Sequence, residues 1–264
     1  MQFLYHDCDL AIVLKPVGMD SESAVPAAII AELGGECYTL HRLDLNVGGV
    51  MVYARTKSAA ATLSKAVQEG TMVKEYVALV HGTPEEAGDW TDYLLKDMKK
   101  NKVFVVARPR KGVKDARLTY QRLSDSDPAL VRIRLYTGRS HQIRVQFASR
   151  KHPLVGDHKY GARDDHKEPT LFSCCLTFPW RGKELRFEHL PAWADAARLN
   201  RIAAMEAAFD RRTPEDLSVL AAYMDSGEWR SDYEADEQGL IPRCMKRGVL
   251  SQDGLYNLLQ EAQQ

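Results

Sequence analysis

Short apolar runs of strand length recur before about residue 190, and they constrain the fold more than any other feature of the sequence. They are rich in β-branched residues and cover residues 10–14, 49–53, 73–81, 103–107, 129–136 and 171–178. Apolar residues three and four apart predict helices between them, at residues 23–33, 57–68 and 140–149. Because the connections after residue 73 are mostly turn-like, hairpins are favoured over strict βαβ alternation. The pattern predicts an α+β fold in which helices flank a mixed, mostly antiparallel sheet.

From Pro191 onward the apolar spacing becomes helical. Residues 193–209 and 214–224 carry this spacing, and a last helix is predicted near residues 251–262. Thr213 is a predicted N-cap, because a proline follows it and Asp216 stands three residues on. The sequence therefore predicts two domains, a larger one at residues 1–198 and a small all-helical one at residues 199–264.

The formal net charge of zero hides an uneven distribution. Residues 1–198 contain 29 Lys and Arg against 24 Asp and Glu, whereas residues 199–264 contain 7 against 12. Within the first part, residues 96–122 hold ten basic and two acidic side chains. This local excess suits a polyanion such as a phosphate backbone, and it equally suits a solvated surface hairpin. The acidic tail argues against direct contact with a polyanion.

Several classes of site lack their usual patterns in this sequence. Neither glycine-rich pattern for a dinucleotide or a nucleoside triphosphate occurs, so we expect no nucleotide cofactor. The five cysteines form no C-x-x-C pair and no metal-ligand spacing, so we expect no metal and no disulfide framework. The first apolar run stops at Lys15 and Pro16, too short and too charged for a signal peptide or a membrane span. We therefore expect a cytoplasmic protein without a membrane segment.

Asp44 is a candidate catalytic carboxylate. It ends the segment His-Arg-Leu-Asp at residues 41–44 and lies just ahead of the predicted buried strand at 49–53. Catalytic residues are often presented by such loops on a rigid scaffold, although an Asp in this position is usually only a turn residue. A sheltered carboxylate also needs a cation to keep it charged.

A second segment, Thr-Gly-Arg-Ser-His-Gln-Ile-Arg at residues 137–144, supplies that cation. Gly138 can end a strand and the rest can open a helix, whose spacing would place His141 and Arg144 on one face. Alone, these would most often be solvated helix residues. A third segment, His-Pro-Leu-Val-Gly-Asp-His-Lys-Tyr-Gly at 152–161, has the glycines and proline of a shaped loop, with a structural default role.

Taken together, these segments resemble the motifs of the RluA family of pseudouridine synthases. The resemblance covers the HRLD signature, the TGR-x-HQ-I/L-R motif, the HP-x-x-GD-x-x-YG motif, the K-P-x-G turn and the K-x-Y-x-A strand, which match residues 41–44, 137–144, 152–161, 9–18 and 74–78. All five lie in family order across about residues 1–190, which makes the resemblance specific. The tail resembles a small helical domain of unknown function, through residues 228–237 and 246–251.

The resemblance implies roles for individual side chains. Asp44 matches the catalytic aspartate, Tyr76 the tyrosine that stacks on the target base, and Arg144 the arginine that pairs with the aspartate. A core aromatic is the alternative role for Tyr76. The implied substrate-binding residues are Arg42, His41, Arg139, His141 and Ile143. Of these, Ile143 would wall the pocket, and Arg42 would either fill the space left by a flipped base or contact a phosphate.

The expected function is isomerisation of specific uridines in ribosomal or transfer RNA to pseudouridine, without cofactor or metal, by a monomer. One departure from the family supports an alternative, a non-catalytic RNA-binding or chaperone protein: Val47-Gly48-Gly49 stands where Thr-Ser-Gly is common. An aspartate-dependent hydrolase is weakly supported, because no second acid stands at a recognisable spacing. The tail is expected to pack on the larger domain or to bind a protein partner.

Overall fold

A mixed sheet of eleven strands forms the centre of the computed structural model, which describes residues 1–262. The strands are β1 Gln2–His6, β2 Leu10–Lys15, β3 Tyr38–Thr39, β4 Gly48–Ala54, β5 Val73–Val80, β6 Ala87–Asp97, β7 Lys102–Val106, β8 Val113–Arg122, β9 Ala129–Leu135, β10 Leu171–Trp180 and β11 Lys183–Glu188. Their order is β1-β2-β4-β10-β5-β9-β8-β6-β7, with β3 paired to β4 and β11 to β10. Neighbouring strands are antiparallel except β4 and β10, which are parallel.

Seven α-helices accompany the sheet within the described residues. They are α1 Ala24–Leu33, α2 Lys57–Gln68, α3 Gln142–Ser149, α4 Ala196–Arg211, α5 Pro214–Asp225, α6 Glu228–Glu237 and α7 Gln252–Glu261. Single 3-10 turns lie at His158–Tyr160 and Gly248–Leu250. The predicted N-cap of α5 is confirmed: the Thr213 hydroxyl accepts the backbone N–H of Asp216, whose carboxylate accepts the backbone N–H of Thr213.

The predicted α+β class, with its mixed and mostly antiparallel sheet, is confirmed. The six predicted strands are present to within two residues at each end, and α2 has the predicted bounds. Five strands, namely β1, β3, β6, β8 and β11, were not predicted. β6 and β8 carry many charged and polar residues, and a buried side chain occurs in them only at isolated positions such as Ala116 and Leu118. Their pairing with each other, rather than a continuous apolar run, defines them as strands.

Strand β5 separates the two main cores of the protein. Tyr76, Ala78 and Val80 face a core that includes residues of α1 and α3. Val77 and Leu79 alternate with them and face a second core on the opposite side of the sheet. Alternation of this kind is the two-residue period of a strand, so β5 is buried on both faces.

The helices α4 to α7 cover that opposite face of the sheet. Leu199, Ile202 and Leu220 belong to the same core as Leu79 of β5 and Cys174 of β10. The helical tail that the sequence predicts is confirmed. The division at residues 198 and 199 stays a prediction, and α4 runs across it. Among residues 1–262, no helix combines the length and the apolar character needed to cross a membrane.

Candidate functional site

The predicted site residues come from the segments at 41–44, 74–78 and 137–144, which meet at one cleft. Its volume is about 510 Å³, and Asp44, Arg144, Tyr76 and all five predicted substrate-binding residues line it. Apolar side chains form much of its wall, among them Leu43, Val47, Met72, Leu135 and Leu171. A cleft with an apolar wall and a few converging polar groups is the usual form of a small-molecule site.

The Asp44 loop is fixed to the turn after β2. The backbone N–H of Gly18 and the ammonium of Lys15 both donate to the carbonyl of Leu45, at 2.9 and 3.2 Å. Burial lowers the pKa of Lys15 to about 8, although the nearby charges of Asp20 and Asp44 oppose that shift. These contacts hold the loop that carries Asp44 in place just before the first residue of β4.

Gly49 explains why β4 can begin directly behind this loop. Its φ is +129°, and a Cβ there would lie 2.3 Å from the carbonyl oxygen of Ser173 on β10. Only glycine fits this close approach of two strands. The replacement of Thr and Ser by Val47 and Gly48 removes hydroxyls from the loop, while the close approach at Gly49 is kept.

Arg144 connects Asp44 to a second carboxylate. Its Nη1 donates to Oδ2 of Asp44 at 3.1 Å, while Nε and Nη2 donate to the two oxygens of Asp157 at 2.7 and 2.8 Å. The Asp157 side chain is 0% exposed and that of Arg144 is 10% exposed, whereas that of Asp44 is 25% exposed. Burial acts to lower the pKa of Arg144, but the hydrogen bonds and charges of both carboxylates outweigh it and hold the pKa above its ordinary value. The predicted pairing of Asp44 with Arg144 is therefore present.

His141 reaches Asp44 from another direction. Its Nε2 lies 3.8 Å from Oδ2 of Asp44, and its Nδ1 lies 2.9 Å from the hydroxyl of Tyr160. His141 and Arg144 lie on the same side, as predicted, but the predicted helical conformation of His141 is wrong: α3 begins at Gln142, and His141 stands at the N-cap position with φ +51° in the left-handed region. The left-handed turn, rather than helical spacing, brings the imidazole beside Arg144.

Tyr76 and Ile143 are both buried in the wall of the cleft. Tyr76 lies on β5 opposite Ile133 of β9 and Ser173 of β10. Burial, together with the charge of Asp44, raises the pKa of the Tyr76 phenol, so this group stays neutral. An aromatic ring thus lies in the same cleft as the carboxylate.

The remaining predicted residues differ in how firmly they are held. Arg42 is exposed and lies 3.3 Å from Glu22. Arg139 donates from Nε to the backbone carbonyl of Asp115 on β8 at 2.7 Å. His41 is the most sheltered: burial and the charge of Lys74 lower its pKa to about 3, so it is neutral, and its buried Nδ1 has no hydrogen-bond partner within residues 1–262.

A second cleft of about 470 Å³ adjoins the first. Arg42, Leu43, Asp44, His141 and Arg144 line both clefts, so they form the boundary between them. Lysines contribute to the wall of the second cleft at positions 96, 159 and 167. None of the three lies within ion-pair distance of a carboxylate in the part of the chain that the structure describes, although Asp20, Glu22 and Glu168 line the same cleft.

Two buried residues of the 152–161 loop, Asp157 and Tyr160, were not predicted as site residues. Both lie behind the side chains that face Asp44, and both stand in the motif whose predicted role was structural. The motif itself is the signal that could have found them. Asp157 and Tyr160 are the only residues in it with a side-chain oxygen, which can form hydrogen bonds with an arginine or a histidine.

Comparison with curated proteins finds relatives that are named as pseudouridine synthases. A ribosomal large subunit pseudouridine synthase D of Vibrio cholerae is 30% identical over 247 residues, which cover 81% of this chain and 74% of that protein. An uncharacterized RNA pseudouridine synthase of Mycoplasma pneumoniae is 31% identical over 203 residues. A tRNA pseudouridine synthase C of Haemophilus ducreyi is 27% identical over 210 residues, covering 72% of this chain and 86% of that protein. Alignment with the Mycoplasma protein covers 71% of this chain and 66% of its relative, so the chain spans just under two thirds of that length.

Solved structures and family models agree with this placement. Human RNA pseudouridylate synthase domain containing 1 has the same fold, with a TM-score of 0.66 at 21% identity over 74% of this chain and 86% of that one. A model described as a domain of unknown function matches residues 198–264. The model of the family described as RNA pseudouridylate synthase matches residues 9–149, more than half of the sequence. On these grounds, the chain belongs to the RNA pseudouridylate synthase family.

Proposed function

We propose that this protein is an RNA pseudouridine synthase that isomerises specific uridines in ribosomal or transfer RNA. The observation that carries the proposal is the position of Asp44, in a cleft of mixed polar and apolar lining, 3.1 Å from a buried arginine. The guanidinium donates a hydrogen bond to the carboxylate and balances its negative charge. A carboxylate held in this way can act as a nucleophile or as a base.

The proposed reaction needs only these groups. The bond between N1 of uracil and the sugar breaks, the base turns, and C5 bonds to the same sugar carbon. The C5 proton leaves to solvent and N1 gains a proton, so the atoms balance without an oxidant, a reductant or a metal. Asp44 would attack the sugar carbon, attack the base or remove a sugar proton, and all three routes use its charged form.

The wall of the cleft supports the roles proposed for the other residues. The ring of Tyr76 offers a surface for stacking a uracil, and Ile143 closes the pocket beside it. His41 brings a neutral imidazole to the same wall, where its ring can contact the base. Arg42 is exposed at the boundary of both clefts, where its side chain could fill the stack vacated by a flipped base.

The second cleft supports a path for the RNA strand. Lys96, Lys159 and Lys167 would meet phosphates next to the target nucleotide, and the other basic residues of 96–122 would meet more distant ones. Arg139 lines the first cleft and would contact the target nucleotide itself. Base in one cleft and backbone in the other would place the sugar at their boundary, where Asp44 lies. The proposal includes a cytoplasmic monomer, and it leaves the tail free to bind a protein partner.

Release of tritium from uridine labelled at C5 within RNA tests this function. The protein should release tritium from RNA extracted from cells that lack its gene, and an Asp44→Asn variant should bind the same RNA without release, because the amide keeps the shape but not the charge. Asp225→Asn, at an exposed aspartate on α5, is the matched control and should keep full activity. RNA binding by the wild type without any release would favour the non-catalytic alternative instead.

A further inference from the structure

The hydroxyl of Tyr160 lies between two hydrogen-bond partners. The backbone N–H of Val103, on β7, donates to it at 2.9 Å, and Nδ1 of His141 lies 2.9 Å on its other side. Tyr160 is itself 9% exposed, and its hydroxyl has no other hydrogen-bond partner among residues 1–262. A buried hydroxyl that already accepts one hydrogen bond must donate its proton elsewhere or leave it unsatisfied.

The direction of this hydrogen bond determines which ring nitrogen of His141 carries the proton. Nδ1 is the acceptor nearest to the Tyr160 hydroxyl, so the hydroxyl donates and Nδ1 carries no proton. A neutral imidazole without a proton on Nδ1 carries it on Nε2. Burial favours this neutral ring by lowering the pKa of His141, and the charges of Arg144 and Lys159 act in the same direction, against those of Asp44 and Asp157.

Nε2 of His141 lies near the carboxylate of Asp44. It is 3.8 Å from Oδ2, beyond direct hydrogen-bond distance but close enough for charge stabilisation, and Oδ2 is the oxygen that accepts from Nη1 of Arg144 at 3.1 Å. The other oxygen, Oδ1, accepts no hydrogen bond within residues 1–262. Arg144 thus binds one oxygen of Asp44 and His141 lies near the same oxygen at a longer distance, which leaves the second oxygen to meet a ligand.

We propose that Tyr160 is a positioning residue that holds His141 in the Nε2–H tautomer, so that His141 and Arg144 together stabilise Oδ2 of Asp44 and Oδ1 is the reactive oxygen. The catalytic part of this proposal rests on the proposed function, whereas the tautomer does not. The position of Tyr160 is fixed independently of His141, because its ring packs 5.3 Å from the guanidinium carbon of Arg144 and 5.2 Å from the ammonium of Lys102.

Long-range 1H–15N correlation spectra of protein labelled at its histidines test the tautomer directly. The sequence has eight histidines, and the resonances missing from a His141→Gln variant assign His141. The wild type should show a protonated Nε2 and an unprotonated Nδ1 that accepts a hydrogen bond. In a Tyr160→Phe variant, which keeps the ring, Nδ1 loses its donor and a population with the proton on Nδ1 should appear. A control variant, Tyr256→Phe on the exposed side of α7, should leave the His141 signals unchanged.

Either of two spectra would overturn the proposal: a proton on Nδ1 of His141 in the wild type, or an unchanged His141 signal in Tyr160→Phe. Neither depends on turnover, so failure here is distinguishable from failure of the proposed function.

A double-mutant cycle tests the consequence for catalysis. Glutamine carries an amide N–H near the position of Nε2, whereas asparagine carries one near Nδ1, so His141→Gln should retain more activity than His141→Asn. Tyr160→Phe should lower kcat about two- to tenfold, the effect of one net hydrogen bond, with little change in KM. In the His141→Gln background the same change should cost little, because glutamine has no tautomer to set. Equal losses in both backgrounds would show a purely structural tyrosine and would overturn the positioning role.

Discussion

Asp157 holds the guanidinium of Arg144 by two parallel hydrogen bonds, Nε to Oδ2 at 2.7 Å and Nη2 to Oδ1 at 2.8 Å. This pairing fixes the plane of the guanidinium and leaves Nη1 to reach Asp44. Asp157 also supplies the larger share of the countercharge that Arg144 needs in its buried position, beside Asp44. The position of the Asp44 partner is thus set by a residue that does not itself line the first cleft.

An Asp157→Asn substitution should reduce both turnover and stability. The amide keeps the shape but presents N–H groups to the N–H groups of Arg144, so the guanidinium loses its orientation and its countercharge. Breaking one partner of a buried ion pair typically costs about 3–5 kcal/mol of unfolding free energy. We expect kcat to fall by about 10-fold to 100-fold, as for other residues that orient a catalytic group. Urea unfolding and single-turnover kinetics measure the two effects.

Asp232→Asn is the matched control for this experiment. Asp232 is also fully buried and is bound by Arg198 and Arg201, but it lies in the helical tail. It should lose stability by a similar mechanism while kcat per folded molecule is retained. A normal kcat in Asp157→Asn would remove the positioning role from Asp157.

The neutral state of His41 predicts a specific dependence of stability on pH. Its pKa is about 3 in the folded protein against 6.5 in the unfolded chain, so between these values the unfolded state binds a proton that the folded state does not. The contribution of neutral His41 to the free energy of unfolding is therefore fully present above about pH 6.5 and is lost as the pH falls from there towards 3. From pH 7 to pH 5 the loss should be about 2 kcal/mol.

Urea unfolding of the wild type and of a His41→Gln variant at pH 7 and pH 5 measures this difference. The variant should lose about 2 kcal/mol less than the wild type on acidification, whatever its stability at pH 7. His41→Phe, which has no titrating group and a similar shape, should follow the glutamine variant. Parallel pH curves for all three proteins would mean that His41 is protonated without cost in the folded state.

The lysines of the second cleft predict a change in the salt dependence of RNA binding. Each phosphate contact on single-stranded RNA contributes about 0.7 to the slope of log K against log salt concentration. A double variant, Lys159→Gln with Lys167→Gln, should therefore reduce the slope by about 1.4. Filter binding in the Asp44→Asn background measures K without turnover.

Lys183→Gln is the control for the lysine variants. Lys183 opens β11 at the far end of β10 from the cleft residue Leu171, and it is exposed. It should leave the slope unchanged. Should the double variant bind with the slope of the wild type, the RNA backbone does not follow the second cleft.

The residues that the sequence identifies and those that it misses differ in the range of their contacts. Asp44 and Arg144 stand 100 positions apart, and a motif rather than any local period predicted their pairing. Asp157 contacts Arg144, and Tyr160 contacts His141 and Val103. These contacts form only once the folded sheet has placed β7 and α3 side by side. No spacing along the chain encodes such a meeting.

The strands show the same limit. β6 and β8 contain no continuous apolar run: in β8 the buried residues Ala116, Leu118 and Tyr120 alternate with polar ones, and Trp90 of β6 is half-buried against Tyr120 and Phe147. In contrast, residues 73–81 form a continuous apolar run after Tyr76, a pattern typical of a strand covered on both faces. That run already contained the signal that a second layer, the helical tail, would cover the sheet.

Finally, the core shared by the tail and the sheet predicts that residues 1–262 unfold as one cooperative unit. Ile202 of α4 is 0% exposed and packs in the same core as Val77 and Leu79, next to Tyr76 of the cleft. An Ile202→Ala substitution should therefore lower the free energy of unfolding by about 2–5 kcal/mol, and urea transitions followed by circular dichroism and by enzyme activity should shift together. Val219→Ala, at an exposed position of α5, should shift neither. If the tail of Ile202→Ala instead melts first while activity persists, the helical layer is an independent domain and the support of β5 from behind is dispensable.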